Sequence, residues 1–170
     1  MTRVAIPQRQ VAAPKRRIAV PRRRLAIPQH VLLAGGAFGP GLDAERVLAA
    51  IARGLQAGGR PDPDLCPLDG DSEKPADARL ALDVLDFDSR MRTARAVVIA
   101  DPHLQESTLA GSVTFEIATR ARQGGVPAYA VTANNELNAF DARVLDLQLV
   151  LQARTPTALA NAGRKLAQVL

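Results

Sequence analysis

The stretch Arg92–Gly125, RTARAVVIADPHLQESTLAGSVTFEIATRARQGG, decides the fold predicted for this chain. Its apolar run 97–100 is rich in β-branched residues and stops at Asp101-Pro102, which is typical of a buried parallel strand. A polar loop follows, and a helix-period segment over 113–123 ends at a glycine pair. The stretch predicts a strand, a loop and a helix, with the loop where open α/β sheets bind ligands.

The same pattern recurs on both sides of this stretch. Upstream, VLLA (31–34) predicts a strand, and Asp43 is placed to cap a helix over about 44–56. Downstream, AYAVT (128–132) and LQLVLQ (147–152) predict strands. Weaker signals predict a short strand at 65–68 and helical segments at 72–88, 139–144 and 157–170. The alternation predicts an α/β fold: a three-layer, Rossmann-like arrangement of a mainly parallel sheet of about four to five strands with helices on both faces.

Charge divides the chain into two parts. Residues 1–30 contain eight Lys or Arg and no acid, whereas residues 31–170 contain fourteen Lys or Arg and seventeen acids. The first part also repeats every seven residues with a proline in each repeat, which blocks a continuous helix. We therefore predict a basic, extended or disordered arm over 1–30 and a single α/β domain over 31–170. The arm is either a weak binding site for polyanions such as nucleic acid or a solvated extension without a partner.

Several classes of protein are disfavoured by composition. The single Cys66 excludes an internal disulfide and a cysteine-rich zinc site. No apolar run approaches the roughly 20 residues that cross a bilayer, so no membrane span is predicted. The N-terminus lacks the apolar core of a secretory signal, and the predicted location is cytoplasmic. Acidic residues over 62–73 are interrupted by prolines, which do not allow the compact spacing of a calcium loop, and no metal site is predicted.

Two segments resemble the bacterial glycerate kinases. Residues 31–55 are similar to the opening motif ILIAPDxFKGSLSAxEVAxAIxxGL of that family. Residues 82–131 are similar to its FDxxLxxADLVITGEGxLDxQTLxGK segment and the GVPVxAxxG strand that follows. Within the second segment the residues in register are Phe87, Asp88, Ala94, Val97, Val98, Ile99, Leu104, Thr108, Leu109, Gly111, Gly125, Val126 and Pro127.

The resemblance implies a truncated relative with a degenerate site. The family has a second domain, in whose place only residues 61–81 stand here, so one wall of the interdomain cleft is missing. Four charged residues of the family motifs fall on Gly36, Gly39, Gln105 and Ser112, which cannot supply the charges that phosphoryl transfer requires. The Glu of the GEG triplet falls on Asp101.

The candidate site residues follow from the resemblance and from the position of polar residues after predicted strands, which is the basis for Asn134. The nearest groups for acid or base chemistry are Asp101, His103 and Glu106. The candidate ligand-binding residues are Gly36, Phe38, Gly39, Gln105, Ser107, Thr108, Ser112 and Asn134. Each has a structural alternative, because Asp101 can start a turn, His103 can be merely solvated, and the hydroxyl and amide side chains can cap helices or turns.

Three functions are expected. The first is a catalytically degenerate glycerate kinase-like protein, which needs no cofactor and acts as a binding or oligomerisation module, as a homo-oligomer or with an active paralogue. The second is an active transferase that phosphorylates glycerate or a small hydroxy acid with ATP and Mg²⁺, its site completed by another subunit. The third is polyanion binding through the arm.

Overall fold

The computed structural model describes residues 30–68 and 75–170 of the chain. The elements in chain order are β1 Val31–Gly35, α1 Ala44–Ala57, β2 Asp64–Pro67, α2 Pro75–Val84, α3 Phe87–Arg92, β3 Ala96–Leu104, a 3₁₀ helix Glu106–Ala110, α4 Val113–Gly124, β4 Ala128–Asn135, α5 Ala139–Val144, β5 Leu147–Gln152 and α6 Pro156–Val169. Residues 1–29 of the predicted arm at 1–30 lie outside the described residues, and the division into arm and domain stays a prediction.

The five strands form one sheet in the order β2-β1-β3-β4-β5, and every neighbouring pair is parallel. Helices pack on both faces of the sheet, around one apolar cluster on each side. The predicted three-layer α/β fold is therefore confirmed. This strand order is that of the flavodoxin-like, doubly wound folds, in which the winding reverses between β1 and β3.

One face of the sheet is covered by α1 and α6, which approach each other very closely. A Cβ on Gly54 would overlap the carbonyl oxygen of Ala160, and a Cβ on Gly163 would overlap that of Ile51. Apolar residues of both helices are buried together, among them Leu48, Ile51, Leu159 and Leu166. This face, which we call the apolar face, is held by close packing.

The opposite face is covered by α2, α3 and α4 and is joined partly by charges, so we call it the ionic face. Arg120 of α4 pairs with Asp83 of α2 at 2.8 Å and with Asp88 of α3 at 3.3 Å. It also pairs with Glu116 of its own helix at 3.0 Å. The Arg120 side chain is only 13% exposed, so this cluster links α2, α3 and α4 through a largely buried guanidinium group.

Two strands are longer than the sequence predicts. The β3 strand does not stop at Asp101-Pro102 but continues to Leu104, and β4 continues through Asn134 and Asn135. The extension pairs only with β4, since the pairing with β1 ends at Gly35 and Ala100. One edge of the extended β3 is therefore free of a strand partner, which is where a sheet tolerates a proline.

Candidate functional site

A pocket of about 520 Å³ lies at the carboxyl ends of β1 and β3, where the winding of the sheet reverses. It exists because β3 extends beyond β1, so that residues 101–104 form a wall that β1 does not cover. The residues that line it are Gly35, Gly36, Leu68, Ile99, Ala100, Asp101, Pro102, His103, Gln105, Ser107, Thr108, Ala110, Ser112, Val113 and Thr114. Doubly wound sheets place their ligands at this position.

The floor of the pocket depends on a glycine. A Cβ on Gly35 would overlap both the carbonyl oxygen and the Cβ of Ala100 on the neighbouring strand. The next residue, Gly36, donates its backbone N–H to the Ala100 carbonyl at 3.2 Å and has room for a side chain. Glycine is thus required at position 35 by the approach of the two backbones, and position 36 faces open space.

Asp101 lies at the centre of the wall. One carboxylate oxygen accepts the backbone N–H of His103 at 2.9 Å, and the other accepts the hydroxyl of Thr114 at 2.5 Å. Thr114 is buried and is the second residue of α4. The Asp101 carboxylate therefore lies against the first turn of α4, where a negative charge is favoured by the helix dipole.

The wall opposite β3 is formed by the 3₁₀ helix and the start of α4. Thr108 is buried and accepts the backbone N–H of Gln105 at 3.1 Å, in a capping box that closes the short helix. Ser112 caps α4 by accepting the backbone N–H of Phe115, and it donates to the Thr108 carbonyl. Ser107 accepts from the Gln105 side chain at 2.9 Å, and both are exposed. These bonds fix the wall and leave hydroxyl and amide groups facing the pocket.

Among the described residues that line the pocket, the ionisable side chains are Asp101 and His103, and neither lysine nor arginine is present. His103 is exposed. The neighbouring loop after β1 ends at Asp43, whose carboxylate accepts the backbone N–H of Arg46 at 2.8 Å and pairs with the Arg46 side chain. The helices α1 and α4 both begin near the point where the winding of the sheet reverses. Each of them thus has a carboxylate at its first turn.

Among the described residues, neither a group of metal ligands nor the thiol of Cys66 adds to this chemistry. Within residues 30–68 and 75–170, no three His, Cys, Asp or Glu side chains are grouped so as to hold a metal ion. Cys66 is buried on β2 and outside the pocket, and burial raises the pKa of its thiol. In the same part of the chain, no helix is long and apolar enough to cross a membrane.

Most of the residues singled out from the sequence meet in this pocket. Seven of them line it: Gly36, Asp101, His103, Gln105, Ser107, Thr108 and Ser112. Phe38 instead packs against the core of the apolar face, and Gly39 lies in an exposed turn paired with Leu42. Glu106 is exposed on the 3₁₀ helix, and the Asn134 amide donates to the Glu136 carboxylate at 2.6 Å.

The most informative residue that the sequence reading missed is Thr114. The sequence offers one signal for it: a hydroxyl residue in the first turn of a helix can face the end of the strand that precedes the helix. The sequence does not show that Asp101 lies opposite Thr114. The reading of Ser107 and Thr108 as caps of the following helix is also corrected, because Ser112 caps α4. The physical reason is the 3₁₀ helix between them, which separates the strand end from α4 by a full turn.

The comparisons with known proteins return a match only among solved structures. No family model and no curated protein matches the chain. A similar solved structure is the crystal structure of a diflavin flavoprotein A3 from Nostoc sp., at 12% sequence identity and a TM-score of 0.47. The match covers 83% of this chain and 93% of that one. At this identity the likeness does not indicate which residues here bind a ligand.

The expected membership of the glycerate kinases is wrong by these comparisons. Neither sequence comparison returns that family, and the matching structure is titled a flavoprotein and not a kinase. The expected kinase or transferase function is wrong as well. The expected degenerate-kinase module and the expected polyanion-binding function are also wrong. The physical reason is that the matched positions, such as the apolar strand residues 97–99 and Gly125, are those that any strand, loop and helix unit requires.

The expectation about cofactors is corrected too. The sequence reading held that none is required, with ATP and Mg²⁺ needed only by an active kinase. The matching structure is titled a diflavin flavoprotein, which contradicts that expectation. A cofactor for this chain therefore has to be judged from the residues of its own pocket.

Proposed function

We propose that this chain binds a small polar molecule in the pocket at the ends of β1 and β3, and that Asp101, His103, Gln105, Ser107 and Ser112 contact it. The observation that supports this is the pocket itself: about 520 Å³, at the winding reversal, with a carboxylate, an imidazole, hydroxyls and an amide on its walls. Pockets of roughly 300–1,000 Å³ with a few convergent polar groups are typical of small-molecule sites.

Flavin mononucleotide is the first ligand to consider, because folds with this strand order bind it at the end of β1 and β3. Its phosphate needs backbone N–H groups or cations at a helix start. Here the loop 35–43 has neither Ser nor Thr, and the α1 start is already capped by Asp43. Among the described residues that line the pocket, there is no aromatic side chain to stack on the flavin ring. The described residues therefore do not fit flavin mononucleotide.

The proposal is tested by blocking the pocket. Ala110 is exposed and lines the pocket, so Ala110→Phe fills it without touching the core. Ala57 is exposed at the far end of α1, and Ala57→Phe is the matched control. Ligand-observed NMR with a panel of sugars, polyols, amines, nucleosides, riboflavin and flavin mononucleotide measures binding to the three proteins.

The expected result is that at least one compound binds the unmodified protein and the Ala57→Phe variant but not Ala110→Phe. A panel in which nothing binds the unmodified protein contradicts the proposal, as does binding that survives in Ala110→Phe.

Assembly and location also remain proposals. A homo-oligomer is expected to give a solution mass that is a multiple of 18.1 kDa in light scattering. A cytoplasmic location, predicted from the sequence, is checked by fractionation of cells that express a tagged chain.

A further inference from the structure

We infer that residues 11–27 of this chain bind to an apolar stripe on the outer side of α2. The stripe consists of Ala76, Leu80 and Val84, all of which are exposed. The inference goes beyond the proposed function and does not depend on it, because the three stripe residues are not among those that line the pocket.

The stripe lies on the side of α2 that faces away from the sheet. Ala78 and Leu82 are fully buried beneath the helix, whereas Leu80 is 64% exposed and Val84 is 77% exposed. Positions four apart in a helix share a face, so Ala76, Leu80 and Val84 form a row about 12 Å long. Because α2 already buries one apolar face, a second aliphatic row indicates a second contact.

Carboxylates flank the stripe on both sides. At about 100° per residue, Asp77 lies about 60° to one side of Leu80 and Asp83 about 60° to the other. Both aspartates are exposed. The six residues that precede α2, 69–74, add three acids and one lysine to the same part of the chain.

The described arginines next to the stripe are engaged at the side of the helix. Arg79, the one basic residue of α2, lies further round the helix than Asp83 and pairs with Glu116 at 3.3 Å. Arg120 pairs with Asp83 from the sheet side and leaves that carboxylate 63% exposed. The stripe is therefore complementary to an apolar segment that carries positive charge.

Residues 11–27 have this combination of apolar and basic residues. They contain the apolar triplets VAA, IAV and LAI, separated by the basic triplets KRR and RRR, and no acid. A proline follows each apolar triplet and favours an extended chain. Three extended residues span about 10 Å, which is close to the length of the stripe, and the adjoining basic residues can then meet Asp77 and Asp83.

The arm joins the domain at the end of the sheet where the stripe ends. His30 accepts the backbone N–H of Arg95 at 2.8 Å, beside the start of β3. The α2 helix belongs to the crossover from β2 to the parallel β3, so it runs back toward the amino ends of the strands, and Val84 is its last residue. The 29 residues before His30 span up to about 95 Å when extended, several times the length of α2.

A second copy of this chain fits the stripe less well. In a twofold pairing of two stripes, parallel or antiparallel, Asp77 and Asp83 of one copy face carboxylates of the other. Like charges opposite each other oppose association, whereas the basic residues of the arm favour it.

The test is NMR spectroscopy of the full chain with isotope-labelled methyl groups. Nuclear Overhauser effects are expected between the methyl groups of Leu80 and Val84 and methyl groups of the arm, which are those of Val11, Ile18, Val20, Leu25 and Ile27. Leu80→Glu changes the centre of the stripe at an exposed position. Val169→Glu on α6 is the matched control, because Val169 is 55% exposed on the opposite face of the sheet.

In Leu80→Glu, the Overhauser effects between Val84 and the arm are expected to disappear. Trypsin is expected to cleave the arm at least about threefold faster in this variant, since cleavage follows the fraction of the arm that is released. Val169→Glu should leave both measurements unchanged. If Leu80→Glu does not fold, replacement of the five aliphatic arm residues by serine is the second variant, and it should abolish the same Overhauser effects.

Three results would overturn the inference. The first is the absence of Overhauser effects between the stripe and the arm in the unmodified protein. The second is an equal change of the cleavage rate in Leu80→Glu and Val169→Glu. The third is a set of contacts at the stripe that disappears on dilution, together with a solution mass above the 18.1 kDa of one chain, which would assign the stripe to a second copy.

Discussion

The two faces of the sheet are stabilised in different ways. On the apolar face, α1 and α6 touch through backbone at Gly54 and Gly163, and the contact is filled by aliphatic side chains. On the ionic face, α2, α3 and α4 meet around Arg120 and its three carboxylates. Close packing has little tolerance for added volume, whereas a partly exposed ion cluster tolerates volume but not the loss of one partner.

This difference matters for the pocket because α4 belongs to the ionic face. Its first turn forms one wall through Ser112 and Thr114, while its middle is fixed by Arg120. The apolar face contributes no lining residue from either α1 or α6. The scaffold of the fold and the support of the site are thus separated onto opposite faces, and substitutions can affect one without the other.

The largest expected effect is on the apolar face. Gly163→Leu places a side chain where the α6 backbone meets the Ile51 carbonyl, so the helices have to move apart. We expect a loss of about 3 kcal/mol or more in the free energy of unfolding, measured by urea denaturation. Lys165→Leu, two residues away on the exposed side of α6, is the control and should change stability by less than about 0.5 kcal/mol. Equal effects of the two variants would mean that the helices are not in backbone contact.

How far the sequence predicts this arrangement differs between the faces. Both helices of the apolar face were predicted from the sequence, and Asp43 was expected as the cap of α1. The cap of α6 is Thr155, and that helix begins one residue earlier than predicted. The backbone contact at Gly163 could not be predicted, because a glycine inside a helix does not reveal which residue packs against it. The ion cluster was unreadable for a further reason: Arg120 lies 37 residues from Asp83 and 32 from Asp88.

The pocket shows the same limit. Its residues on one continuous loop, from Asp101 to Ser112, were found because a polar loop after a buried strand is a local signal. The extension of β3 beyond the proline was missed, because it depends on β4 being present on one side and β1 being absent on the other. The contact between Asp101 and Thr114 follows from that extension, so it could not be predicted either.

The second prediction concerns the loss of the Arg120 guanidinium group from the ionic face. Arg120→Met removes the one cation that pairs with all three carboxylates, of which Glu116 is only 15% exposed, and leaves Arg79 at 3.3 Å from Glu116 and Arg92 at 3.9 Å from Asp88. We expect a loss of about 2 kcal/mol in the free energy of unfolding, which lies between the values for exposed and fully buried pairs. The matched control is Arg92→Met, whose pair with Asp88 is long at 3.9 Å and whose side chain is 69% exposed, with an expected loss of under about 0.5 kcal/mol. A loss in Arg120→Met no larger than in the control would show that the cluster does not fasten the helices.

The third prediction compares helix caps across the faces. Ser112 caps α4 and Thr155 caps α6, and each accepts a backbone N–H at 3.2 Å. Because capping is local, Ser112→Ala and Thr155→Ala should each cost about 1 kcal/mol in thermal denaturation, whichever face the helix belongs to. Only Ser112→Ala should also weaken ligand binding in the pocket. Ser112 lines the pocket, and its hydroxyl donates a hydrogen bond to the Thr108 carbonyl of the 3₁₀ helix. If a ligand binds Ser112→Ala and Thr155→Ala with equal affinity, the wall that contains Ser112 does not contact that ligand.

The smallest expected effect is a dependence on pH at the edge of the ionic face, where Arg90 of α3 binds Asp64 of β2. The two hydrogen bonds, at 2.8 and 2.7 Å, lower the pKa of the Asp64 carboxyl below its usual range, against the opposing effect of burial. A lowered pKa in the folded state means that the pair stabilises the fold above the unfolded pKa of about 3.9 and that this contribution disappears as the pH falls through the lower, folded value. Both side chains are partly exposed, so the contribution is under about 1 kcal/mol.

The measurement is urea unfolding of the unmodified protein and Arg90→Met at pH 7 and at pH 2.5. The stability difference between them should be larger at pH 7 than at pH 2.5, and the part that does not change with pH comes from the bond of Arg90 to the Leu65 carbonyl, which does not titrate. Gly163→Leu is the contrast, because its defect involves no titratable group and should be the same at both pH values. A difference for Arg90→Met that does not shrink in acid would assign the role of Arg90 to its bond with that carbonyl and not to its charge.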